Sequence, residues 1–244
     1  MPSLKKGTAM RLDKYICDNT SLTRSLATKA IKSGRIKVNH KKAKSGSDKI
    51  QPDTDTVFFD GQLIQSQPEN RYYMMHKPEG VVCANSDGDH GLVFDLMSGE
   101  INLSKLHTVG RLDKDTTGLL LITDDGQWSH QITSPKHHQE KVYRAFLAEP
   151  LIADAEQRVE QGILLKDEIK PTLPAKLERI TDSEVLIRIN EGRYHQVKRM
   201  FAAMGNRVVK LHRESIGDVI LDPQLTPGEY RLLSHEEVQS LSKT

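Results

Sequence analysis

Gly110-Arg111-Leu112-Asp113-Lys114-Asp115-Thr116-Thr117-Gly118, followed at once by Leu119-Leu120-Leu121-Ile122, is the stretch on which the reading of this chain turns. A polar loop delivers the chain into a short apolar run with turn signals before it, the pattern of a buried strand. An acidic side chain on such a loop sits at the rim of a sheet, with apolar structure beneath and solvent above. Burial raises the pKa of a carboxyl in that position and a nearby cation lowers it, which brings in Arg111, two residues before Asp113. On these grounds alone, Asp113 and Asp115 read equally well as carboxylates capping a turn.

Downstream, strand and helix signals alternate without a regular βαβ order. Val185-Leu186-Ile187-Arg188-Ile189 alternates like a half-buried strand. The spacing predicts a helix over Val197–Met204, with Val197, Met200, Phe201 and Met204 inward and Gly205-Asn206 at its end. Arg207–Arg213 alternates again. The succession implies an α+β fold built on a largely antiparallel mixed sheet, spanning residues 71–244.

Upstream, residues 65–70 (QSQPEN) are polar, contain Pro68 and lack periodicity, so they are read as a linker. Residues 10–64 have a small-domain rhythm. Ser21 is the expected cap of a helix over Leu22–Ser33, with Leu22, Leu26, Ala30 and Ile31 on one face and Gly34 just past its end. A strand over Arg35–Val38 and a turn over Asn39–Lys42 follow. Thr56–Phe59 and Gln62–Ile64 form a hairpin across Asp60-Gly61. Residues 1–9 carry Lys5 and Lys6 with no apolar stretch behind them, so they make no secretory signal and read as a disordered leader or a remnant of cloning.

The bulk properties suit a soluble globular protein: 244 residues, 36% hydrophobic, mean hydropathy −0.54. No apolar run approaches the roughly 20 residues that span a bilayer. Cys17 and Cys83 make neither a disulfide framework nor a zinc quartet, and a reducing, cytoplasmic setting follows. No heptads or exposed apolar stripe suggest an oligomer, so a monomer is expected. Charge is informative once divided. Residues 1–50 hold 13 Lys and Arg against 3 Asp and Glu, while the whole chain is only +2. A basic head on an acidic body points to phosphate, because each cation near a nucleic-acid backbone releases counterions. Arg24, Lys29 and Lys32 lie along the exposed side of the expected helix, and Arg35, Lys37, Lys41, Lys42 and Lys44 follow at once. A second cationic run, Gly192–Arg213, has six Lys and Arg and no acid.

The 110–118 loop resembles the GRLD-x-D-[TS]-x-GLL loop of the pseudouridine synthases, in their RsuA-type branch. Arg11-Leu12-Asp13, Thr23-Arg24-Ser25 and Gly34–Asn39 are similar to the S4-type RNA-binding domain that precedes catalysis there. Lys77-Pro78-Glu79-Gly80 resembles the family's KPxG segment, and Glu140-Lys141-Val142-Tyr143 its E-K-x-Y motif. Glu191–Phe201 resembles its late basic motif, and Gly228-Glu229-Tyr230-Arg231 its closing segment. These pieces follow one another in family order over nearly the whole chain after residue 9.

The resemblance implies isomerisation of an RNA uridine to pseudouridine, with neither cofactor nor metal. The base detaches from C1′, turns, and rejoins through C5. Asp113 matches the catalytic aspartate, acting on sugar or base as nucleophile or general base. Tyr143 matches a tyrosine that stacks on the flipped base. Arg111 matches an arginine that fills the vacated space or steadies the aspartate, and Lys198 a basic partner of that aspartate. Arg11, Arg24, Lys29, Lys32, Arg35, Lys37, Arg193 and Arg199 are the expected RNA contacts. His76 stands where many members have asparagine, which bears on local pocket detail. His130, His137 and His138, read as lying in a loop, lack the carboxylate spacing of a metal site. The segments Trp128–His130, Ser134–His138 and Arg193–Asn206 look most like the enzymes of small-subunit ribosomal RNA. The alternatives are a large-subunit or tRNA uridine, and a non-catalytic S4-domain protein of ribosome assembly.

Overall fold

Leu12, Tyr15 and Ile16 repeat at helical spacing, and the structure begins with the helix they make. The structure is a computed structural model, and it describes residues 9–66, 70–134 and 139–242. The leader up to residue 8, the linker centre at 67–69, and His137 and His138 lie outside the described residues. The chain divides into two units, Met1–Glu69 with Gly99–Leu103, and Asn70–Ser98 with Ser104–Thr244.

In the first unit, β1 (Met10–Arg11) leads into α1 (Leu12–Asn19), which is followed by α2 (Arg24–Lys32). The sequence reading places one helix here; α1 is additional, and no capping side chain marks its start at Arg11. Helix α2 is shorter than expected because Thr23, not Ser21, caps it, its hydroxyl accepting from the Leu26 amide. The inward arc is Ala27, Ala30 and Ile31; Leu26, expected inward, lies at the rim of that arc and is 47% exposed. Strands β2 (Ile36–Val38), β3 (Lys41–Lys42), β5 (Val57–Phe59) and β6 (Gln62–Leu63) form a sheet in the order β3-β2-β5-β6, while β4 (Lys49–Ile50) pairs with β1. The expected turn over 39–42 is confined to Asn39-His40, since Lys41 and Lys42 already pair with β2. Asp60 and Gly61, at φ 50° and 83°, give the double positive-φ turn that matches strand twist in a two-residue hairpin. Ile16, Ala27, Ile31, Ile36, Ile50 and Val57 close one core.

The second unit is built on one large sheet. Its strands are β7 (Tyr72–Lys77), β8 (His107–Val109), β9 (Thr116–Thr123), β10 (Lys141–Leu147), β11 (Lys176–Arg179), β12 (Glu184–Ile189), β13 (Val208–Ile216), β14 (Val219–Ile220) and β15 (Tyr230–Leu232). The helices are α3 (Gly126–Thr133), α4 (Ala155–Gln161), α5 (Gln196–Ala203) and α6 (His235–Ser242). The main order is β11-β12-β10-β13-β9-β7-β15, with β14 beside β13 and β8 beside β9. Every pairing is antiparallel except β9 with β13. The expected α+β fold on a mixed, mostly antiparallel sheet is therefore the observed one.

The run Leu119–Ile122 lies in the middle of β9 and is wholly buried, as a central strand covered on both faces must be. Trp128 and Ile132 of α3 and Leu241 of α6 cover one face of it, with Met74, Leu119 and Leu121. Helix α5 turns Val197, Met200 and Phe201 inward, with Met204 at its end, as its periodicity requires. His130 lies on α3, not in the loop expected for it, because Asp125 caps that helix by accepting from the amides of Gln127 and Trp128. Among the described residues, no helix is long and apolar enough to cross a membrane.

Candidate active site

The loop before β9 is fastened from below. Lys77, at the end of β7, is fully buried and donates to the carbonyls of Pro78 at 3.0 Å and Thr116 at 2.9 Å. The Gly80 amide donates to the Lys114 carbonyl at 2.8 Å, and the Thr116 amide to that of Asp113 at 3.1 Å. A buried ammonium thus satisfies loop carbonyls that water cannot reach. Burial lowers the Lys77 pKa, against the nearby Cys83, Asp115 and Asp113. The 77–80 and 110–118 segments, separate in sequence, make one scaffold.

Asp113 stands on that scaffold with 29% of its side chain exposed, facing the start of α5. Lys198 Nζ donates to its Oδ2 at 2.9 Å and to Asp115 Oδ1 at 2.5 Å. Desolvation pulls the Lys198 pKa down, but the hydrogen bonds it donates to Asp115 and Asp113 outweigh it, so its charge is held more firmly than an ordinary lysine's. Burial pushes Asp115 up while Lys198 pulls it further down, so it stays ionised. His195 was given no role in the sequence reading, yet its Nε2 lies 3.4 Å from Asp113 Oδ1. It caps α5 in the left-handed region at φ 47°, with its ring stacked on Tyr194 at 3.8 Å. Such a backbone conformation in a non-glycine residue occurs where the surroundings enforce it, and functional sites are one such place.

Asp113 opens on a cleft of about 700 Å³ whose wall includes Thr116, Lys141, Tyr143, His195, Lys198 and Arg213. Tyr143, on β10, is 8% exposed, with its hydroxyl 3.4 Å from Arg213 Nη1. Arg213, on β13, is 2% exposed and donates from Nε to the Leu119 carbonyl at 2.8 Å. Burial, and then the neighbouring Arg213, push Lys141 down to about 8. The site thus offers a carboxylate held by a cation, an aromatic ring, and a cationic inner wall. Sequence reasoning gave no individual role to Lys141, Thr116 or Arg213, although each lies in a quoted stretch: the E-K-x-Y motif, the 110–118 loop and the late cationic run.

The remaining expected residues fall into distinct settings. Arg111 is exposed at the cleft and makes no ion pair among the described residues, so Lys198 and His195 are the groups that hold Asp113. Arg193 and Arg199 are not free on the surface. Glu168 binds both guanidinium groups, Glu191 also binds Arg193, and carbonyls of residues 166–171 take their remaining N–H groups. The cationic run contains no acid of its own, yet the fold brings acids to it from elsewhere. His76 bonds the Leu225 carbonyl at 2.8 Å and does not line the cleft. In the first unit, Arg11 pairs with Asp13, and Arg35 pairs with Asp60 while covering Phe59. Arg24, Lys29, Lys32 and Lys37 are exposed without ion pairs among the described residues. Among the described residues, no group of three or more His, Cys, Asp or Glu is placed to hold a metal.

Comparison with known proteins agrees with this geometry. The family model described as RNA pseudouridylate synthase matches residues 71–203, and that of the S4 domain matches residues 10–55. The chain is 52% identical over 234 residues to a Haemophilus influenzae protein named ribosomal small subunit pseudouridine synthase A, covering 96% of this chain and 100% of that one. It is 47% identical to the protein of the same name from Escherichia coli K12, over 95% and 100% of the two chains. A solved structure, described as a crystal structure of pseudouridylate synthase, matches with a TM-score of 0.68 at 51% identity, over 95% of this chain and 99% of that one. With an S4 domain ahead of a catalytic domain of this kind, the chain belongs to the RNA pseudouridylate synthase family and is an RNA pseudouridine synthase.

Proposed function

We propose that this enzyme isomerises one specific uridine of small-subunit (16S) ribosomal RNA in the cytoplasm, acting as a monomer without a cofactor. The observation that carries the reading is Asp113, half-open to the cleft and held by Lys198 at 2.9 Å and His195 at 3.4 Å. A carboxylate held in place and aimed is what the sugar carbon or base requires as nucleophile or base. The uridine leaves the RNA stack and enters the cleft, and Tyr143 stacks on it there. Arg111, exposed at the rim, occupies the gap left in the RNA. The exposed cations Arg24, Lys29, Lys32 and Lys37, with Arg11 and Arg35, grip phosphates. Near-full-length relatives named for the small ribosomal subunit support the choice of target.

The test is carbodiimide-based pseudouridine mapping of ribosomal RNA from cells lacking the protein, complemented with wild type or Asp113→Ala. One small-subunit stop should vanish and return only with wild type. A stop that moves in large-subunit RNA or tRNA instead reassigns the target. No change anywhere favours a binding role for the S4 unit.

A further inference from the structure

The inner wall of the cleft holds two cations that no acid answers among the described residues. Arg213 is 2% exposed, and its Nη2 is buried without a hydrogen-bond partner among the described residues. Lys141 gives its Nζ to the Gln139 carbonyl at 2.8 Å, and neither Lys141 nor Arg213 forms an ion pair among the described residues. The Thr116 hydroxyl, in the same wall, is the other buried side-chain polar atom left without a partner among the described residues. A buried polar group without a partner is destabilising, and more so when it is charged. Two like charges side by side in a dry wall add to that cost, and the burial that pushes Lys141 down to about 8 reflects it. A ligand that relieves this wall carries negative charge there. Phosphate is a poor candidate, because these atoms are buried beside Tyr143 and not on the exposed surface where a nucleic-acid backbone is met.

Isomerisation itself supplies such a charge, and here the argument rests on the function proposed above. When the N1–C1′ bond breaks heterolytically, both electrons leave with the ring and spread over N1, O2 and O4, while C1′ is left electron-deficient. Carbon C5 then gives an electron pair to C1′, loses its proton, and N1 gains one, so composition is unchanged. Asp113 answers the sugar carbon. We propose that Arg213, with Lys141 beside it, holds the detached uracil as its anion, Arg213 Nη2 donating to a ring carbonyl and Thr116 Oγ1 bonding the ring edge. In this role the two cations stabilise the charge as it develops and keep the freed ring in place while it turns.

The test uses the full chain in single-turnover reactions on RNA carrying uridine or 5-fluorouridine at the target, read by nucleoside chromatography after digestion. Fluorine stabilises the ring anion, so that substrate needs less help from the wall. Arg213→Gln should slow consumption of the uridine RNA by about 100-fold, and of the 5-fluorouridine RNA by no more than about 10-fold. RNA affinity should be unchanged. Equal losses on the two RNAs, or a wild-type rate on uridine, overturn the proposal, because a merely structural role does not distinguish leaving groups. Should Arg213→Gln fail to fold, Lys141→Gln decides by the same ratio: an unequal loss supports the assignment, and an equal one overturns it. A wild-type enzyme inactive on every uridine RNA would strike the proposed function, a separate failure.

Discussion

Gly118 and Arg213 meet across the parallel seam of β9 and β13, where a Cβ on Gly118 would lie 2.3 Å from the Arg213 carbonyl oxygen. Gly118 also sits at φ +105°, where side chains are strained whatever the space. The 110–118 loop ends at one partner of this contact, and the buried guanidinium of the cleft wall hangs from the other. Gly118→Ala should therefore lower the unfolding free energy by at least about 3 kcal/mol and cut activity together with it. Denaturant unfolding measures this; a variant as stable as wild type contradicts the packing described.

The bond between Lys198 and Asp113 separates aim from fold. Lys198→Met should reduce the single-turnover rate by about 100-fold while RNA affinity holds, since the carboxylate loses the cation that positions it. Asp115 shares the same ammonium but has 64% of its side chain exposed. Asp115→Asn should cost only a few-fold, and equal losses for the two variants would mean that the three-residue cluster acts as one unit.

Lys141 gives the pH dependence. Its folded value of about 8 lies below the ordinary 10.5, so between these the unfolded chain binds a proton that the folded chain does not, and stability from this group rises with pH. Its charge runs the other way, present below about 8 and lost above. The chemical step should slow as pH rises through that value, and the falling limb should be missing from Lys141→Met. Cys83 and Lys198 are both raised, and Lys77, which burial lowers, is told apart by the Lys141→Met control. A wild-type rate that stays flat to pH 9.5 would falsify the role of this charge.

The exposed cations of the first unit should report through salt. Replacing Arg24, Lys29 and Lys32 together by Gln should reduce the slope of log affinity against log salt by about 2. Arg193→Gln and Arg199→Gln should instead lower stability and leave that slope alone, because Glu168 already occupies both guanidinium groups. Filter binding across a salt series separates the two groups.

Much of this was legible in the chain. The 110–122 stretch gave a loop feeding a buried strand because four apolar residues behind a polar turn admit few other structures. Helix α5 was equally plain from Val197, Met200, Phe201 and Met204. Helix α1 was not, since the spacing of Leu12, Tyr15 and Ile16 came without a cap. The pairing of Lys198 with Asp113 was implied only by resemblance, as 85 residues separate the two in sequence. Charge counting did not reveal that Glu168 pairs with Arg193 and Arg199, because local composition does not show which distant acid the fold will bring. Arg213 looked like one more basic residue on a strand; what sets it apart is burial without an ionic partner, a property that exists only after folding.

The parallel seam has a consequence for synthesis. Parallel neighbours cannot be consecutive in a hairpin, and here the two strands lie far apart in the chain, with Leu211 beside Thr116 and Arg213 beside Gly118. The catalytic half consequently cannot close until residues beyond 213 have left the translating ribosome, whereas the segment to Ile64 has its full core long before. A growing chain is thus equipped to hold RNA well before it is equipped to alter it. Until then the emerging polypeptide lacks the seam that joins the two walls of its cleft.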